Sequence, residues 1–473
     1  MRKQSLFALP IALGLSMMMI AIAKAADDAN VIPVIKFDGP ARGEPSPALK
    51  YRLLPTFLDL KPGNAAIVYC KIAQSRPYTA DAERRMGDDW RETPVDKLPR
   101  DKVDRDLAIF SYQLAEAARA ARMETCDWQL AVRTEKLWEL RLDEMQAMRN
   151  LARVLAIQAR LQIHDHKYDE AVQTLQTGFA MARHLVEAPT IVTALVGAAV
   201  AGLMLEEVET MMRDPNAPNL YWALIALPRP FIDMQLALSA ETHFVDFAVP
   251  GVHDIRTEKF TPDEWRKLVN RLDELLMVIN GQGDSSDSTR MLSTMLAIKE
   301  YPVARQALIK GGMSPEVVDK MAVPQVIAIH KIESFDRLRD NMFKWMFLPV
   351  WQREPGATEA DEAIAKSNET LEGFPLAGVL PSVRASTVAT IRLDRRIASL
   401  AAVEALRIHA AAHGGKLPKT LAEIRLAPVL VDPTTGQPFG YSIYGATATL
   451  TSPRIPNISS SFAGLHYEIT ITQ

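Results

Sequence analysis

His164-Asp165-His166-Lys167-Tyr168-Asp169-Glu170-Ala171 joins two amphipathic stretches, and the fold is read from this joint. Upstream, over about 133–165, Leu137, Leu140, Met145, Met148, Leu151, Leu155 and Leu161 return at helical spacing, with Arg and Glu between them. A helix turns once per 3.6 residues, so these positions share one face. The polar residues 164–166 break the pattern, and a second helix is expected over about 168–186. Two such helices joined by a short polar turn form an antiparallel hairpin whose apolar faces must be covered by neighbours.

The motif Lys167-Tyr168-Asp169-Glu170-Ala171, with Pro189 at the matching distance, resembles a tetratricopeptide hairpin over about one 34-residue unit. Thr177 stands where that repeat usually has alanine, and His164 where it usually has leucine. The expectation is therefore a mainly α protein, an array of packed helical hairpins, rather than a run of regular repeats.

The pattern extends in both directions. Leu107, Phe110, Leu114 and Ala117 mark a helix face that begins near Asp104. Ile191–Leu205 is apolar, carries small residues at Ala194, Gly197, Ala198, Ala201 and Gly202, and ends in Glu206-Glu207. At 15 residues it falls short of the ~18 needed to span a bilayer, so a closely packed core helix is expected. Helices are expected from Asn219 to Leu224 and from Phe231 to about Phe247. Thr261-Pro262-Asp263-Glu264 combines a hydroxyl cap, a proline at the first helical position and a glutamate that closes a capping box. Further helices are expected near 288–300, 303–310, 314–321 and 326–347, and a weakly structured connection near 355–381.

The C-terminal pattern differs. Arg384 to His413 predicts one long helix ended by Gly414-Gly415. A turn cluster at Asp432–Pro438 leads to alternating segments near 439–444, 446–451 and 466–472, a small antiparallel sheet. The order helix, Gly415–Pro418, short helix, Asp432-Pro433, Gly436, Pro438, Tyr441 resembles the globular half of type II secretion pseudopilins over about 80 residues. Pseudopilins carry that helix at their N-terminus, so filament assembly is not implied. Lys61–Ala66, Cys126-Asp127-Trp128 and Pro218–Leu224, with this module, are similar to a group of exported proteins of planctomycete bacteria. That resemblance implies an architecture and no activity.

Arg2 and Lys3, the apolar run Leu6–Ala23 and the small-residue site Ala23-Lys24-Ala25 predict a secretory signal peptide over 1–25. Export to the periplasm or the medium is expected, with no membrane insertion after cleavage. The expected divisions are a leader and irregular segment (26–102), a helical-array domain (103–350), a linker (351–383) and a pseudopilin-like α+β module (384–473).

Net charge is −3, and cleavage of the signal would remove three further basic residues. No basic stripe is present, which argues against a nucleic-acid partner. Cys70 and Cys126 are the only cysteines. In an oxidising compartment they could pair, which would contribute about 4 kcal/mol by loop closure; two free thiols are the alternative. No C-x-x-C, G-x-S-x-G, phosphate loop or dinucleotide motif occurs.

Three clusters carry side chains capable of acid–base or metal chemistry. His409 and His413 share a helix face at metal-ligand spacing, but Ala410–Ala412 supply no glutamate base. His164-Asp165-His166 falls at a hairpin turn, where polar residues are expected. Within Glu241, His243 and Asp246, only the i,i+3 pair His243–Asp246 is in register on a helix. Trp128, Trp138, Trp222, Trp265, Trp345 and Trp351 could line a groove, although core packing is the commoner use of tryptophan in helical proteins. No catalytic residue, metal ligand or cofactor is assigned. The function expected is an exported helical scaffold that binds another envelope protein. The rival is an envelope-polymer hydrolase with its site between the array and the C-terminal module.

Overall fold

The computed structural model describes residues 32–75, 82, 84–131, 142–256, 260, 261, 263, 264, 267, 268, 270, 271, 287–369, 380–455 and 463–472. The signal segment 1–25, most of the expected helix after Thr261, and Trp138 and Trp265 lie outside the described residues. In chain order the elements are β1 (Ile35–Pro40), β2 (Lys61–Asn64), α1 (Ala65–Gln74), α2 (Arg100–Ile109), α3 (Ser111–Ala120), β3 (Met123–Thr125), α4 (Asp143–His164), α5 (Tyr168–Val186) and α6 (Ile191–Arg213). There follow α7 (Tyr221–Ile225), α8 (Gln235–Thr242), α9 (Phe244–Ala248), α10 (Asp287–Lys310), α11 (Pro315–Val318), α12 (Val323–Met346), α13 (Val350–Glu369) and α14 (Leu380–Ala412). The strands β4 (Gly440–Tyr444), β5 (Thr447–Ser452) and β6 (Leu465–Thr472) close the chain. The protein is mainly helical with a small sheet, as the periodicity predicts.

The divisions differ from the sequence-based ones. One unit gathers the described residues within 24–130, 142–237 and 386–473; the other is 238–385. The expected array 103–350 is thus cut at 238, and the C-terminal module folds with the first hairpins. The expected linker 351–383 is helical over Val350–Glu369, with Pro355 inside its first turns. As the sixth residue, Pro355 leaves one carbonyl of the first turn without its intrahelical donor, and the helix continues past it.

In the first unit, α4, α5 and α6 pack in sequence, with α4 also against α6. The turn at 164–166 and the span of α5 lie where the sequence placed them, and His166 adopts a left-handed φ of 59° to make the turn. The face predicted from Leu107 to Ala117 is two helices, because the backbone at Phe110 (φ −99°, ψ 9°) leaves the helical register.

Close approach of α5 and α6 depends on small residues. A Cβ on Gly197 would lie 2.7 Å from the Ala182 carbonyl oxygen. The helix α6 continues to Arg213, beyond its apolar run, with its acids paired and Glu207 and Glu209 buried. Glu207 holds Arg160 (3.1 Å), Glu206 holds Arg91 (3.0 Å), and Glu209 holds Arg213 (2.7 Å) and Arg396 (3.2 Å). By length and composition α6 could span a bilayer, yet two-thirds of its apolar window, 67%, is buried among its neighbours.

The leader is not merely extended. Its strand β1 pairs in parallel with β6, from Ile35 opposite Tyr467 to Pro40 opposite Thr472, giving the order β1-β6-β5-β4. β5 and β6 bury alternate residues, among them Leu450, Tyr467 and Ile469, the two-residue period of a half-covered sheet. The hairpin β4–β5 turns at Gly445, whose φ of 63° a side chain would strain. Asn64 caps α1 by accepting from the Ala66 amide (3.1 Å) and accepts from the Asp127 amide (2.9 Å). Lys61–Ala66 and Cys126–Trp128, distant in sequence, therefore meet. The third singled-out segment, Pro218–Leu224, is held by α14: Glu404 accepts from the Asn219 side chain (2.7 Å) and the Leu220 amide (2.8 Å).

In the second unit α12 packs between α10 and α13. The expected helices near 288–300 and 303–310 are one helix, α10, which continues through Pro302. The capping box at Thr261 is formed: Glu264 accepts from the Thr261 amide at 2.7 Å, and the Glu264 amide donates to the Thr261 hydroxyl at 3.4 Å.

Candidate functional site

An open groove of about 970 Å³ runs between α2–α3 and α4–α5. Its walls follow from helix periodicity. Gln158 and Gln162 stand one turn apart on α4, Gln173 and Thr177 keep the same spacing on α5, and Thr174 lies beside them. Ser111 faces them from α3, and Leu107, Leu114 and Leu155 supply the apolar floor. Thr174 donates to the Gln162 side-chain oxygen at 2.8 Å, which orients that amide. Asp59, Arg100, Arg122, Asp165 and Lys167 also line the groove and bring charges of both signs.

Arg100 and Asp165 are engaged with each other. Arg100 grips Asp165 through Nε (3.1 Å) and Nη2 (3.0 Å). Burial opposes ionisation of Asp165, but hydrogen bonds from His164 and Arg100 outweigh it and hold the carboxyl below its ordinary value. Hydrogen bonds from the Thr56 hydroxyl and amide likewise lower Asp59. Beside Asp59, Phe57 and Leu58 stand 87% and 92% exposed.

Asp165, from the His164-Asp165-His166 turn, thus reaches the groove, but its carboxylate is taken by Arg100 and His164 Nδ1 (3.0 Å). His166 turns to the Tyr168 hydroxyl (2.7 Å). His409 and His413 stack with ring centroids 4.0 Å apart, and His413 Nδ1 bonds the His409 carbonyl (2.8 Å). This is a helix-end contact, with His409 lowered by burial and by the neighbouring imidazole. Among the described residues, no group of three His, Cys, Asp or Glu is placed to hold a metal ion.

His243 and Asp246 touch at 3.2 Å, as their spacing predicts. Two partners escaped the sequence reading: His253 Nε2 lies 2.8 Å from Asp246 and its Nδ1 3.7 Å from Asp336, which also pairs with Arg339 (2.9 Å). Asp336 comes from α12, and no local pattern links it to residue 246. These residues form a partly exposed chain of polar contacts that ends in the Asp336–Arg339 ion pair.

The described tryptophans have separate local partners. Trp128 stacks on Tyr69 (5.8 Å between centroids) and donates to the His184 carbonyl (2.7 Å). Burial depresses His184 to about 4. Trp222 donates to Glu44 (2.9 Å), Trp345 packs on Gly356, and Trp351 is 45% exposed. None of these four lines the groove. Cys70 and Cys126 are free thiols, Cys126 buried and Cys70 partly so, and burial raises both. The disulfide left open by the sequence is not formed.

No protein-family model, curated protein or solved structure matches the chain.

Proposed function

We propose that this chain is an exported scaffold of the cell envelope whose α2–α5 groove holds an extended segment of a partner protein. The observation that carries the reading is the groove wall. Gln158 and Gln162 on α4, and Gln173 and Thr177 on α5, each stand one helical turn apart along an open channel of about 970 Å³. Side-chain amides both donate and accept, so a row of them can pair with the alternating N–H and C=O groups of a peptide backbone. The leucine floor gives side chains of that peptide somewhere to bury, and Phe57 and Leu58 extend the apolar contact beside Asp59. A hydrolytic reading would call for converging acid and base groups, whereas Asp165 is committed to Arg100 and His164. Export rests on the N-terminal sequence pattern.

The test is crosslinking in the source cell, followed by affinity purification of the exported chain and mass spectrometry. A reproducible stoichiometric partner, lost when Gln158 and Gln173 are both replaced by arginine, is the expected result. Recovery of the protein alone and monomeric would overturn the proposal and move substrate screening to the front.

A further inference from the structure

The two edges of the β1-β6-β5-β4 sheet differ. β1 carries Lys36, Asp38 and Pro40 and packs against α6, whose Arg213 Nη2 donates to the Lys36 carbonyl at 3.1 Å. Charge, proline and a covering element are the usual protections of an edge strand. β4, at the other edge, reads Gly440-Tyr441-Ser442-Ile443-Tyr444, with neither charge nor proline. It runs without a bulge from Gly440 opposite Thr451 to Tyr444 opposite Thr447, and among the described residues β5 is the one strand it pairs with. Ile443 and Tyr444 are 37% and 91% exposed. The two-residue turn Gly445-Ala446 joins Tyr444 to Thr447, which such a hairpin makes a hydrogen-bonded pair. Hydrogen-bonded pairs alternate along an antiparallel ladder. The main-chain N–H and C=O groups of Tyr441 and Ile443 therefore point away from β5, toward the open side.

We propose that β4 recognises a second copy of this chain: two β4 strands pair antiparallel about a two-fold axis at Ser442, joining two four-stranded sheets edge to edge. The surface is independent of the groove. What selects a second copy is that the strand is complementary to itself when reversed. About Ser442, Tyr441 comes to lie opposite the partner's Ile443, an aromatic–β-branched pair. Gly440 comes to lie opposite the partner's Tyr444, a ring laid over a glycine. The two-fold repeats both pairs. Tyr441 exchanges main-chain hydrogen bonds with the partner's Ile443 through the groups that point outward, and Ser442 meets the partner's Ser442 as the central pair without such bonds. No like charges are set opposite each other, because the strand has none. Ile443 shares the sheet face of Ala448 and Leu450, both buried, and the partner strand extends that cover over it. Strands of this length bury little area, so the dimer is expected to be weak, with a Kd of about 10–100 µM.

The full exported chain is studied by sedimentation equilibrium from about 5 to 500 µM, a range that brackets the expected Kd. Wild type is expected to pass from monomer to dimer. Ser442 is exposed, so its side chain can be changed without opening the core. Ser442→Lys and Ser442→Glu each set like charges face to face on the axis and are expected to weaken the dimer about tenfold or more, with the melting midpoint of the monomer unchanged. An equimolar mixture of the two variants is expected to dimerise again, because lysine then faces glutamate. That rescue requires both variants to be folded and residue 442 to lie on the axis. Overturning results are a monomer at every concentration of wild type, undiminished dimerisation of Ser442→Lys alone, or a mixture that stays monomeric.

Discussion

Arg407 Nη1 donates to Glu404 Oε2 at 2.8 Å, one helical turn apart on α14, and neither side chain is exposed to water. The pair is the joint of the first unit. Glu404 also receives the Asn219 side chain and the Leu220 amide, while Arg407 Nε donates to the Pro40 carbonyl (2.9 Å) at the end of β1. One ion pair thus ties the leader, the segment before α7 and the C-terminal helix. Removing one partner of such a pair strands a buried charge and typically costs about 3–5 kcal/mol. Glu404→Ala should lower unfolding free energy by that amount in urea titration. A loss under about 1 kcal/mol would show the joint to be dispensable.

The contact of α5 with α6 predicts an asymmetry between two glycines. Gly197→Ala forces a Cβ to 2.7 Å from the backbone oxygen of Ala182, whereas nothing lies within 4 Å of a Cβ on Gly202. The first substitution should destabilise by about 1–3 kcal/mol. The second should be neutral or gain up to about 1 kcal/mol from helix propensity. Equal thermal shifts for the two variants would contradict the packing.

Asp394 accepts from the Phe231 amide at 2.8 Å, and burial raises its carboxyl from 3.8 to about 7. The unfolded chain releases this proton near its ordinary value while the native state keeps it. Between about pH 4 and 7 the native state binds more protons, so this group's contribution to stability falls as pH rises through that window. Glu207, raised to about 7 by burial, acts in the same direction. In Asp394→Asn the Asp394 share of the slope disappears, and the variant should gain about 1–3 kcal/mol on wild type from pH 4 to pH 8. Stability curves that stay parallel over that range would rule the shift out.

Intact mass of the exported chain should show two free thiols. Brief alkylation under native conditions should spare Cys126, which burial both shields and holds in the unreactive thiol form. A mass two daltons lower, the loss of two hydrogens on forming a disulfide, would contradict the free pair.

Much of this fold was legible because it is local. The 164–166 turn, the span of α5 and the antiparallel C-terminal strands follow from periodicity and turn residues over a few neighbours. The parallel addition of β1 to β6 was not legible, since the two strands are over 400 residues apart and parallel pairing leaves no hairpin signal. The helix Val350–Glu369 was hidden by Pro355 and Gly356, residues that ordinarily disfavour a helix interior, yet the helix runs through both. At the site, the sequence brought Asp165 forward for its neighbouring histidines. Its actual partner, Arg100, belongs to another helix. The amide row could have been found by asking which polar residues recur on the faces of α4 and α5, where Gln158, Gln162, Gln173 and Thr177 keep helical spacing amid leucines.

What occupies the groove decides whether the chain acts as a scaffold. A photo-reactive amino acid placed at Gln158, and in a separate strain at the exposed Val317 of the second unit, can be activated in living cells. A single discrete adduct at position 158, absent at 317 and mapping to one contiguous peptide of another protein, is the predicted result. No adduct at 158, or the same adducts at both positions, would contradict the proposed role of the groove.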